Sequence, residues 1–503
     1  MTAADAYDTL RALVTDAAAF GAAPREAAVS AIVYDSRRAV PGSIFVALRG
    51  QKADGLAFVP QALDRGASLV VAEAPPPPGT AAPWLVVSDA RLALALLADR
   101  FFDSPSRQMA VVGVTGTNGK TTTAYLLSSI LDAAGLPAGL LGTVTYRVGR
   151  EEREASRTTP EAPDVQQLLR EMLDRGCRSA VMEVSSHALA LKRVDGMRFA
   201  AGIFTNLTRD HLDFHGDMEA YFAAKRRLFE LLPPEAPAVI NADDPRGAAL
   251  VEASRRPVTY ALQKPADVTA ARMDMTLDGL RLEIATPRGS VEVASRLVGR
   301  PNAYNIVAAA AAAAALDLPL DAIARGVAAL PGVPGRFEVV SAADDDVTVV
   351  VDYAHTDDAL RNLLETARPL APTRLVTVFG CGGDRDRTKR PLMGVVAARL
   401  SDVVIITSDN PRSEDPARII EEIKRGIPAA RQPGAPEPDV LAIVDRAEAI
   451  ARAVAIADAG DLVLVAGKGH EKYQQIGDRV LPFDDAEVAR EALARRRAGR
   501  SRT

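Results

Sequence analysis

The sequence has only two cysteines, Cys177 and Cys381, among 503 residues. Two thiols cannot form the disulfide framework of a small secreted protein, and they cannot complete a zinc site by themselves. The first residues, MTAADAYDTL, contain neither a basic segment nor an apolar core, so they do not resemble a secretory signal. We therefore expect a reduced, cytoplasmic protein.

Long hydrophobic runs and a strong net charge are also missing. The longest apolar run, residues 306–316, includes eight consecutive alanines and is shorter than the roughly 20 residues that cross a bilayer. The net charge of −5 gives no global attraction to nucleic acid or anionic lipid. We expect no nucleic-acid partner, no membrane insertion and a monomer, and we interpret the arginine-rich end ARRRAGRSRT as a helix end.

The composition is that of a globular protein, with 48% hydrophobic and 25% charged residues. The length predicts about three domains, which we place at residues 1–106, 107–332 and 333–503. The first boundary follows the helix-like segment RLALALLADRFF, and the second lies near PGVPGRFEVV. The proline run at residues 75–78 is interpreted as a surface loop inside the first domain.

Apolar strands alternate with helical segments through most of the chain, which predicts the α/β class with parallel sheets covered on both faces. The first domain is predicted to be a small mixed α/β unit. The central domain is predicted to be a P-loop-type ATPase with a parallel sheet, and the C-terminal domain a Rossmann-like α/β unit. Residues 268–298 alternate with period two, which predicts an added antiparallel portion.

The segment VVGVTGTNGKTTTAYLL places a glycine-bearing turn between a strand and a helix. Backbone N–H groups of such a turn can surround phosphate oxygens, while Lys120 can reach the terminal phosphates and the Thr121 hydroxyl can bind Mg²⁺. Val114 stands where a full P-loop motif has its first glycine, so a turn that merely starts a helix is the alternative. The context favours ATP binding, but it does not name a reaction. The predicted contacts are Gly116, Thr117, Asn118, Gly119, Lys120, Thr121 and Thr122.

This loop and several later motifs resemble the Mur ligases, to which folylpolyglutamate synthase is related. The motifs occur in the order expected for that family: GTNGKTT at 116–122, MEVSSH at 182–187, TNLTRDHLDFH at 205–215, RPNAYN at 300–305, GRFE at 335–338 and DYAH at 352–355.

Further segments resemble the members of the family that add the third residue of the peptidoglycan precursor peptide. They are YDSR at 34–37, GQKADG at 50–55, RTTPE at 157–161, GCGGDRDRTKRPLM at 380–393, SDNPR at 408–412 and AGKGHE at 466–471. The resemblance implies an ADP-forming ligase that uses ATP to join a diamino acid to UDP-N-acetylmuramoyl-L-alanyl-D-glutamate through an acyl phosphate.

The resemblance also implies a catalytic set and a Mg²⁺ site. The catalytic residues are Lys120, Glu183, His211 and Lys225, and the metal ligands are Thr121, Glu183, His211 and Lys225 as a carbamate. Hydroxyl and carboxylate oxygens suit Mg²⁺, whereas the imidazole of His211 is a less usual ligand. Composition alone would instead make Lys225 a solvated helix cation beside Arg226 and Arg227.

Four more residues resemble the nucleotide contacts of the family: Asn302, Asn305, Arg336 and Asp352. The residue types alone also fit ordinary cap and turn chemistry, and for Asn302 a helix cap is an equally good interpretation.

The sugar–peptide substrate is matched by two groups of residues. Ser36, Gln51, Lys52 and Ala53 correspond to uridine-diphosphate contacts, and Thr158, Thr159, Ser185 and Arg193 to muramoyl-dipeptide contacts. Arg157 and Leu191 depart from the family pattern, which usually has asparagine and glutamine there.

The DNPR segment is linked in the family to meso-diaminopimelate, whose distal carbon carries a carboxylate that lysine lacks. The guanidinium of Arg412 offers a planar fork for a carboxylate, and Glu471 could receive an ammonium group. A proline turn that starts a helix at Ser413 is the alternative. The implied contacts are Arg385, Asp409, Asn410, Pro411, Arg412, Gly467 and Glu471.

Other functions stay open at this point. An L-lysine-adding ligase differs only at the DNPR residues, and folylpolyglutamate synthase would have no use for the YDSR domain. A P-loop switch or motor would hydrolyse nucleotide without small substrates, and a kinase would leave a stable phosphorylated product.

Overall fold

A computed structural model describes residues 1–17, 26–50, 53–371, 373–430 and 437–500. Successive parts of the chain build three separate sheets with helices packed against them, so the predicted α/β class is confirmed. In the part of the chain described, no helix is both long enough and apolar enough to cross a membrane. Both cysteines are free and buried, in different cores.

The first sheet has strands β1 Val14–Asp16, β2 Ile32–Val33, β3 Ile44–Val46, β4 Leu69–Ala72 and β5 Trp84–Val87, and helices α1 Ala3–Leu10, α2 Val59–Asp64 and α3 Ala90–Phe101. The spatial order is β1-β5-β4-β3-β2, with only β1 antiparallel among these described strands. Helices α1 and α3 cover one face and α2 the other. The proline run lies in the loop between β4 and β5, as predicted.

The central sheet is the largest. Its strands are β6 Ala110–Thr115, β7 Ala138–Leu141, β8 Thr145–Val148, β9 Glu151–Glu154, β10 Ser179–Glu183, β11 Ala201–Phe204, β12 Ala238–Asn241, β13 Pro257–Ala261, β14 Val268–Thr276, β15 Gly279–Thr286 and β16 Gly289–Ser295. Seven parallel strands in the order β7-β10-β6-β11-β12-β13-β14 form its middle. Strands β7 and β10 lie on one side of β6 and strands β11–β14 on the other, so the strand order reverses at β6. Ligands collect at such a point in open α/β sheets.

Antiparallel strands extend both edges of this sheet. The meander β14-β15-β16 confirms the antiparallel portion that the period-two pattern predicts. The hairpin β8-β9 at the opposite edge is not predicted. The available signal in the sequence is the pair Gly149-Arg150, because a glycine at the first position of a two-residue turn favours a hairpin. In the structure Gly149 has φ 64°.

Helices cover both faces of the central sheet. They are α4 Lys120–Ala133, α5 Ala162–Asp174, α6 Ser186–Ala190, α7 Leu212–His215, α8 Met218–Glu230, α9 Gly247–Ala253, α10 Arg300–Ala315 and α11 Leu320–Ala329. Helices α4, α10 and α11 share one core, and α5, α6, α8 and α9 share the other. The alanines of α10 from Ala308 to Ala313 have no exposed surface, because their short side chains let the helix lie close to its neighbours.

The third sheet has the order β17-β18-β22-β19-β20-β21, with β17 antiparallel and the others parallel. Strands β17–β24 are Glu338–Val339, Thr348–Asp352, Leu375–Phe379, Val403–Ile406, Asp439–Ala442, Leu462–Ala466, Tyr473–Ile476 and Arg479–Pro482, of which the last two form a separate hairpin. Helices α12–α16 are Asp357–Ala367, Lys389–Leu400, Pro416–Lys424, Arg446–Ile456 and Asp485–Arg500.

Two predictions for this part meet different outcomes. The apolar segment LAIVD at residues 441–445 predicts a strand, but the strand begins two residues earlier, because its pairing with the four residues of β20 fixes β21 at Asp439–Ala442. The described part of the arginine-rich end, residues 494–500, does belong to α16, and its cations pair with acids, as in the Arg496–Asp346 bridge of 2.8 Å. Short 3-10 helices complete the described elements: Ser36–Arg38, Gly55–Phe58, Pro105–Arg107, Arg368–Leu370 and Ile427–Ala430.

A buried ion pair joins the ends of two strands of the third sheet. The guanidinium of Arg446 donates to both carboxylate oxygens of Asp485 at 2.7 Å. It also donates to the backbone carbonyls of Ala466, at the end of β22, and Ser408, which follows β20, at 3.0 and 3.3 Å. One side chain therefore fixes the start of two loops, the one that begins at Gly467 and the one that contains DNPR.

We expect Arg446→Ala to lower the free energy of unfolding of this part of the chain by about 3–5 kcal/mol, because it leaves a buried carboxylate without its partner. Denaturant unfolding of the full-length chain measures the effect. The control is Arg495→Ala, since Arg495 pairs with Glu491 on the exposed surface of α16, and it should leave the transition unchanged. Equal transitions for the two variants would contradict this account.

Candidate active site

Two glycines shape the loop between β6 and α4. Gly116 has φ 150°, and a Cβ atom there would lie 1.8 Å from Thr205 Oγ1. Gly119 has φ 86°, and a Cβ atom would lie 2.4 Å from Asn305 Oδ1. Both positions therefore require glycine, and the loop is packed against the end of β11 and the start of α10. The structure thus places the predicted phosphate loop at the carboxyl end of the middle strand.

Two lysines point at the same backbone carbonyl of this loop. Lys120 Nζ lies 3.0 Å from the carbonyl oxygen of Gly116 and 2.9 Å from that of Thr117. Lys225 Nζ lies 2.7 Å from the Gly116 oxygen and 4.4 Å from the centre of the Tyr221 ring. Burial lowers the pKa of Lys120, and burial together with the charge of Lys120 holds the pKa of Lys225 well below its usual range.

The interpretation of Lys225 as a solvated helix cation is wrong. Its residue is only 1% exposed, because α8 turns this face toward β6. Within the described residues, Lys225 makes no salt bridge, so its amine is buried beside a carbonyl and an aromatic ring only. A lowered pKa increases the neutral fraction of the amine, and the neutral amine is the form that can capture CO₂.

The candidate metal ligands have suitable oxygen atoms. Glu183, at the end of β10, is 1% exposed and accepts hydrogen bonds from the backbone N–H and hydroxyl of Thr143 at 2.7 and 3.0 Å. A Cβ atom at Gly142 would lie 2.6 Å from its Oε1, so a larger residue there would displace the carboxylate. The Thr121 hydroxyl accepts from Arg336 Nη2 at 3.2 Å. Carboxylate and hydroxyl oxygens of this kind fit Mg²⁺.

The third candidate ligand, His211, begins a short helix with φ 54°. Its ring lies 4.9 Å from the ring of His187 and 6.1 Å from that of Tyr221. Withdrawal from water in the cleft lowers the pKa of His211 to about 4, so the imidazole is neutral near pH 7. Within the described residues, no three His, Cys, Asp or Glu side chains form a metal-binding cluster, so a metal ion here would also depend on the hydroxyl, the modified lysine and ligand oxygens.

Arg336 and Asp352 lie between the central and third sheets. The guanidinium of Arg336 reaches Thr121 and lies 4.7 Å from the ring centre of Tyr353. The Asp352 carboxylate accepts from the backbone N–H groups of Phe337 and Ala354 at 2.7 and 2.8 Å. Withdrawal from water raises the pKa of Asp352, and Arg336 opposes that change.

Asn302 and Asn305 are both buried behind the phosphate loop. Helix α10 has Gly299 as its N-cap and no side-chain cap, so the interpretation of Asn302 as a cap is wrong. Its Nδ2 donates to the Val298 carbonyl at 2.8 Å, and its Oδ1 accepts from Asn305 at 3.1 Å. The Oδ1 of Asn305 in turn accepts from Thr123 of α4 at 3.3 Å. The two amides therefore join α10 to the helix that follows the phosphate loop.

A cavity of about 410 Å³ lies between the central and third sheets. It brings together most of the predicted diamino-acid residues with one predicted metal ligand: Arg385, Asp409, Asn410, Arg412, Gly467, Glu471 and His211. Pro411 is the predicted contact that does not line it. Residues that sequence reasoning did not single out also line this cavity, among them His187, Arg209, Asp210, Tyr353, His355 and Lys389. The only sequence signal for these residues was that they lie within the matched motifs.

One wall of the cavity carries cations. Arg412 has φ 51°, and its Nη1 donates to the Gly383 carbonyl at 2.7 Å. Helix α14 begins at Pro416 after an Asp415 cap, so the alternative of a helix that starts at Ser413 is wrong. The turn instead pairs its backbone with Gln475, whose carbonyl accepts from the Arg412 N–H at 3.1 Å.

A buried cluster of ion pairs anchors the loop that carries Arg412. Arg390 is fully buried, and its guanidinium lies 2.9 Å from Glu414 Oε1 and 2.7 Å from Glu422 Oε2. Glu414 also accepts from the backbone N–H of Asp384 at 2.7 Å. The segment with Arg385 and the segment with Arg412 are thereby fixed to each other.

Another part of the cavity wall carries carboxylates around a lysine that sequence reasoning missed. Lys468 Nζ lies 3.1 Å from Asn410 Oδ1, 3.2 Å from Glu471 Oε2 and 3.6 Å from Asp409 Oδ1. Its place in the AGKGHE motif was the available signal, but its burial depends on the fold.

The proposed dipeptide contacts lie together beside Glu183. Thr159 Oγ1 donates to the Glu183 carbonyl at 2.8 Å and accepts from the Ser185 N–H at 3.1 Å. Arg193 donates to the Thr159 carbonyl at 2.9 Å and pairs with Glu161 at 2.7 Å. Thr158 bonds to Thr143, Leu191 ends α6, and the exposed Arg157 lies 3.3 Å from Glu161.

The proposed uridine-diphosphate contacts lie on the first sheet unit. Ser36 is buried, and its hydroxyl donates to Gln61 at 2.6 Å. The Ala53 carbonyl accepts from Gly50 at 2.9 Å. Gln51 and Lys52 lie outside the described residues. In the residues that the structure covers, Ser36 and Ala53 make no hydrogen bond to the group beside Glu183.

Family models match three parts of the chain. Residues 28–102 match the catalytic domain of the Mur ligase family, residues 114–313 the Mur ligase middle domain, and residues 335–469 the glutamate ligase domain of Mur ligases. These parts contain the three sheets described above except for β1 and the first residues of β6.

Curated relatives match over nearly the whole length. The UDP-N-acetylmuramoyl-L-alanyl-D-glutamate–2,6-diaminopimelate ligase of Gloeobacter violaceus is 49% identical over 471 residues, covering 93% of this chain and 95% of the relative. The ligase of that name from Geobacter metallireducens is 49% identical over 475 residues, covering 91% and 93%. A solved structure of an enzyme with the same name is 35% identical, with a TM-score of 0.66 and coverage of 93% of this chain and 95% of that chain.

We expect Gly119→Ala to weaken ATP binding at least tenfold, because the new Cβ atom would strain a left-handed backbone and displace Asn305 from the loop. Calorimetric titration with ATP measures the effect. Gly135→Ala is the matched control, since Gly135 also has a positive φ, 79°, at the other end of α4, but has open space around it. It should leave the ATP affinity unchanged, and a similar loss in both variants would contradict the role of the loop.

Proposed function

The chain belongs to the Mur ligase family of ATP-dependent, ADP-forming amide ligases, and we propose that it adds meso-2,6-diaminopimelate to UDP-N-acetylmuramoyl-L-alanyl-D-glutamate in peptidoglycan precursor synthesis. One observation carries the proposal: the cavity with Arg385, Arg412 and Glu471 also contains His211, whose ring lies 6.1 Å from that of Tyr221, and the Tyr221 hydroxyl bonds to Thr117 of the phosphate loop at 3.1 Å. The names of the relatives support the same substrates. Because both larger substrates are nucleotides, we also propose a cytoplasmic location; the monomer stays a prediction.

The proposed reaction activates a carboxylate that would not otherwise form an amide. The γ-phosphoryl group of ATP passes to the side-chain carboxylate of D-glutamate, so that one P–O bond to ADP breaks and a P–O bond to the carboxylate forms. An amine of diaminopimelate then attacks the acyl carbon and loses a proton, and the C–O bond to phosphate breaks. The products are the amide, ADP and phosphate. Positioning and charge neutralisation supply most of the catalysis in such reactions.

In this proposal the loop after β6 holds the phosphates. The backbone N–H groups of Thr117 and Asn118 already donate to Asn206, so those of Gly116 and Gly119 are the proposed donors to phosphate oxygens, and Thr117 and Asn118 stay proposed contacts. Lys120 leaves its loop carbonyls to bind the terminal phosphate. Mg²⁺ held by Thr121, Glu183, His211 and carbamylated Lys225 would neutralise charge between the phosphoryl group and the carboxylate that meet there. Thr122, Asn302, Asn305, Arg336 and Asp352 stay proposed contacts to the nucleotide.

The remaining residues position the two substrates to be joined. Thr158, Thr159, Ser185 and Arg193 are proposed to hold the dipeptide, since they already bond around the end of β10. Ser36, Gln51, Lys52 and Ala53 are proposed for the uridine diphosphate. Arg385 and Arg412 would receive the distal carboxylate of diaminopimelate, and Asp409, Asn410, Gly467 and Glu471 would enclose its ammonium end. Pro411 does not line the cavity and would act only by shaping the turn between Asn410 and Arg412.

Phosphate release by the purified chain tests the proposal. We expect release only when ATP, the UDP-linked dipeptide and meso-diaminopimelate are all present, and much less with L-lysine in place of diaminopimelate. Release that depends on L-lysine instead would favour the lysine-adding alternative. No release with either amino acid would disprove the proposed reaction.

We expect Arg412→Ala to reduce kcat/KM for meso-diaminopimelate by about ten- to a hundredfold or more, with the KM for ATP unchanged. A charge-assisted hydrogen bond of about 1.5–3 kcal/mol converts to roughly that factor. Steady-state assays of phosphate release give both constants. Arg418→Ala is the control, because Arg418 is largely exposed on α14. Equal losses for both substrates would refute the assignment.

Carbamylation of Lys225 can be detected without an activity assay. In the step proposed, the neutral amine attacks CO₂, an N–C bond forms, and a proton passes to solvent, which leaves an anionic carbamate. We expect isotopically labelled bicarbonate to give a carbamate carbon resonance in the wild-type chain and in Lys264→Gln, which changes an exposed lysine. The resonance should be absent in Lys225→Gln, and its persistence there would contradict the modification.

A further inference from the structure

Lys468 is a fully buried lysine whose hydrogen-bond acceptors all belong to the proposed diamino-acid site. Its Nζ contacts Asn410 at 3.1 Å and Glu471 at 3.2 Å, with Asp409 at 3.6 Å, and the Tyr473 ring centre lies 5.3 Å away. A buried ammonium group is unfavourable unless it is paired. Lys468 does not line the cavity itself, so it acts on a ligand through these neighbours.

The lysine fixes the orientation of the Asn410 amide. Asn410 Oδ1 accepts from Lys468 Nζ and from the backbone N–H of Gln475 at 2.9 Å. With its oxygen held by two donors, Asn410 turns its Nδ2 to Glu471 Oε2, at 2.8 Å. Glu471 Oε2 therefore accepts from both Asn410 and Lys468, and Oε1 is the oxygen left to receive a ligand ammonium group.

The lysine also sets the charge of this wall. The two carboxylates of Asp409 and Glu471 and the one ammonium group of Lys468 leave a single negative charge, while Arg385 and Arg412 line the same cavity as cations. This pattern matches an amino-acid end that carries one ammonium and one carboxylate group. Without Lys468 the wall would hold two negative charges, which would repel the carboxylate and favour a lone ammonium end.

We propose that Lys468 is a positioning residue that determines specificity: by orienting Asn410 and neutralising one of two carboxylates, it makes the cavity prefer the zwitterionic end of a diamino diacid over the ammonium end of L-lysine. This inference rests on the proposed function. It predicts that the lysine acts on amino-acid selection and leaves ATP use unchanged.

The first test compares Lys468→Met with Lys472→Met. Lys472 lies in the same loop but pairs with Asp484 and has an exposed side chain. We expect Lys468→Met to raise the KM for meso-diaminopimelate at least tenfold and to lower the inhibition constant of L-lysine relative to that KM at least tenfold. The KM for ATP should stay within twofold, and Lys472→Met should match the wild type. A parallel loss of affinity for both amino acids, or an unchanged KM for diaminopimelate, would overturn the proposal.

A second test changes both partners, so that the loss of Lys468 no longer leaves the Glu471 carboxylate without its ammonium partner. Glu471→Gln alone leaves the wall without net charge, whereas Lys468→Met/Glu471→Gln restores the single negative charge of the wild type. We therefore expect the double variant to bind meso-diaminopimelate more tightly than Glu471→Gln does, measured by calorimetric titration with the amino acid. A lysine with a merely structural role would make the double variant the weaker binder, which would overturn the proposal.

The wild-type chain separates this inference from the proposed function. If wild-type phosphate release does not depend on diaminopimelate, the proposed function fails. If it does, while the Lys468 variants keep the wild-type preference between the two amino acids, only the role of Lys468 fails.

Discussion

Two lysine side chains share the carbonyl oxygen of Gly116, and the rest of the candidate site depends on that arrangement. Lys120 and Lys225 reach this oxygen at 3.0 and 2.7 Å from two different helices. Burial lowers the pKa of both lysines, and the nearby charge of Lys120 lowers the pKa of Lys225 further, since like charges in a buried place disfavour each other. An anion relieves this repulsion: phosphate at Lys120, and captured CO₂ at Lys225. The glycines of the loop and the position of β6 in the sheet bring the two amines together. The backbone geometry therefore determines how close the two amines lie and where an anion can bind.

Much of the fold could be predicted from the sequence because its signals are local. Buried parallel strands such as β6 and β22 appear as continuous apolar runs bounded by glycine, and the period-two pattern of residues 268–298 is sufficient for the antiparallel meander. The errors arise where packing decides. The start of β21 follows its pairing partner, and α14 begins at Pro416 because Asp415 caps it. The domain limits at 106 and 332 stay predictions.

The residues of the candidate site also divide into those that the sequence could place and those whose position depends on packing. Residues that follow strand ends, such as Glu183 after β10 and Asn410 after β20, could be placed from the sequence because the carboxyl ends of parallel strands meet at one edge. The burial of Lys225 and Lys468 could not, since a lysine in a helix or loop reads as a solvated charge until its neighbours are known. The side-chain pairing of Asn302 with Asn305 was likewise hidden by the plausible alternative of a helix cap. The functional roles of these residues stay proposals.

The alanine run of α10 limits how this sequence can drift during evolution. From Ala308 to Ala313 no side-chain surface reaches solvent, so a larger residue would push the helix outward and carry Asn305 away from Thr123 and the phosphate loop. Glycine or serine would fit the space, but each weakens the helix. Positions far from the reacting atoms should therefore appear nearly invariant among homologues. A ranking of residues by invariance alone would therefore not distinguish these buried alanines from the residues that perform the chemistry.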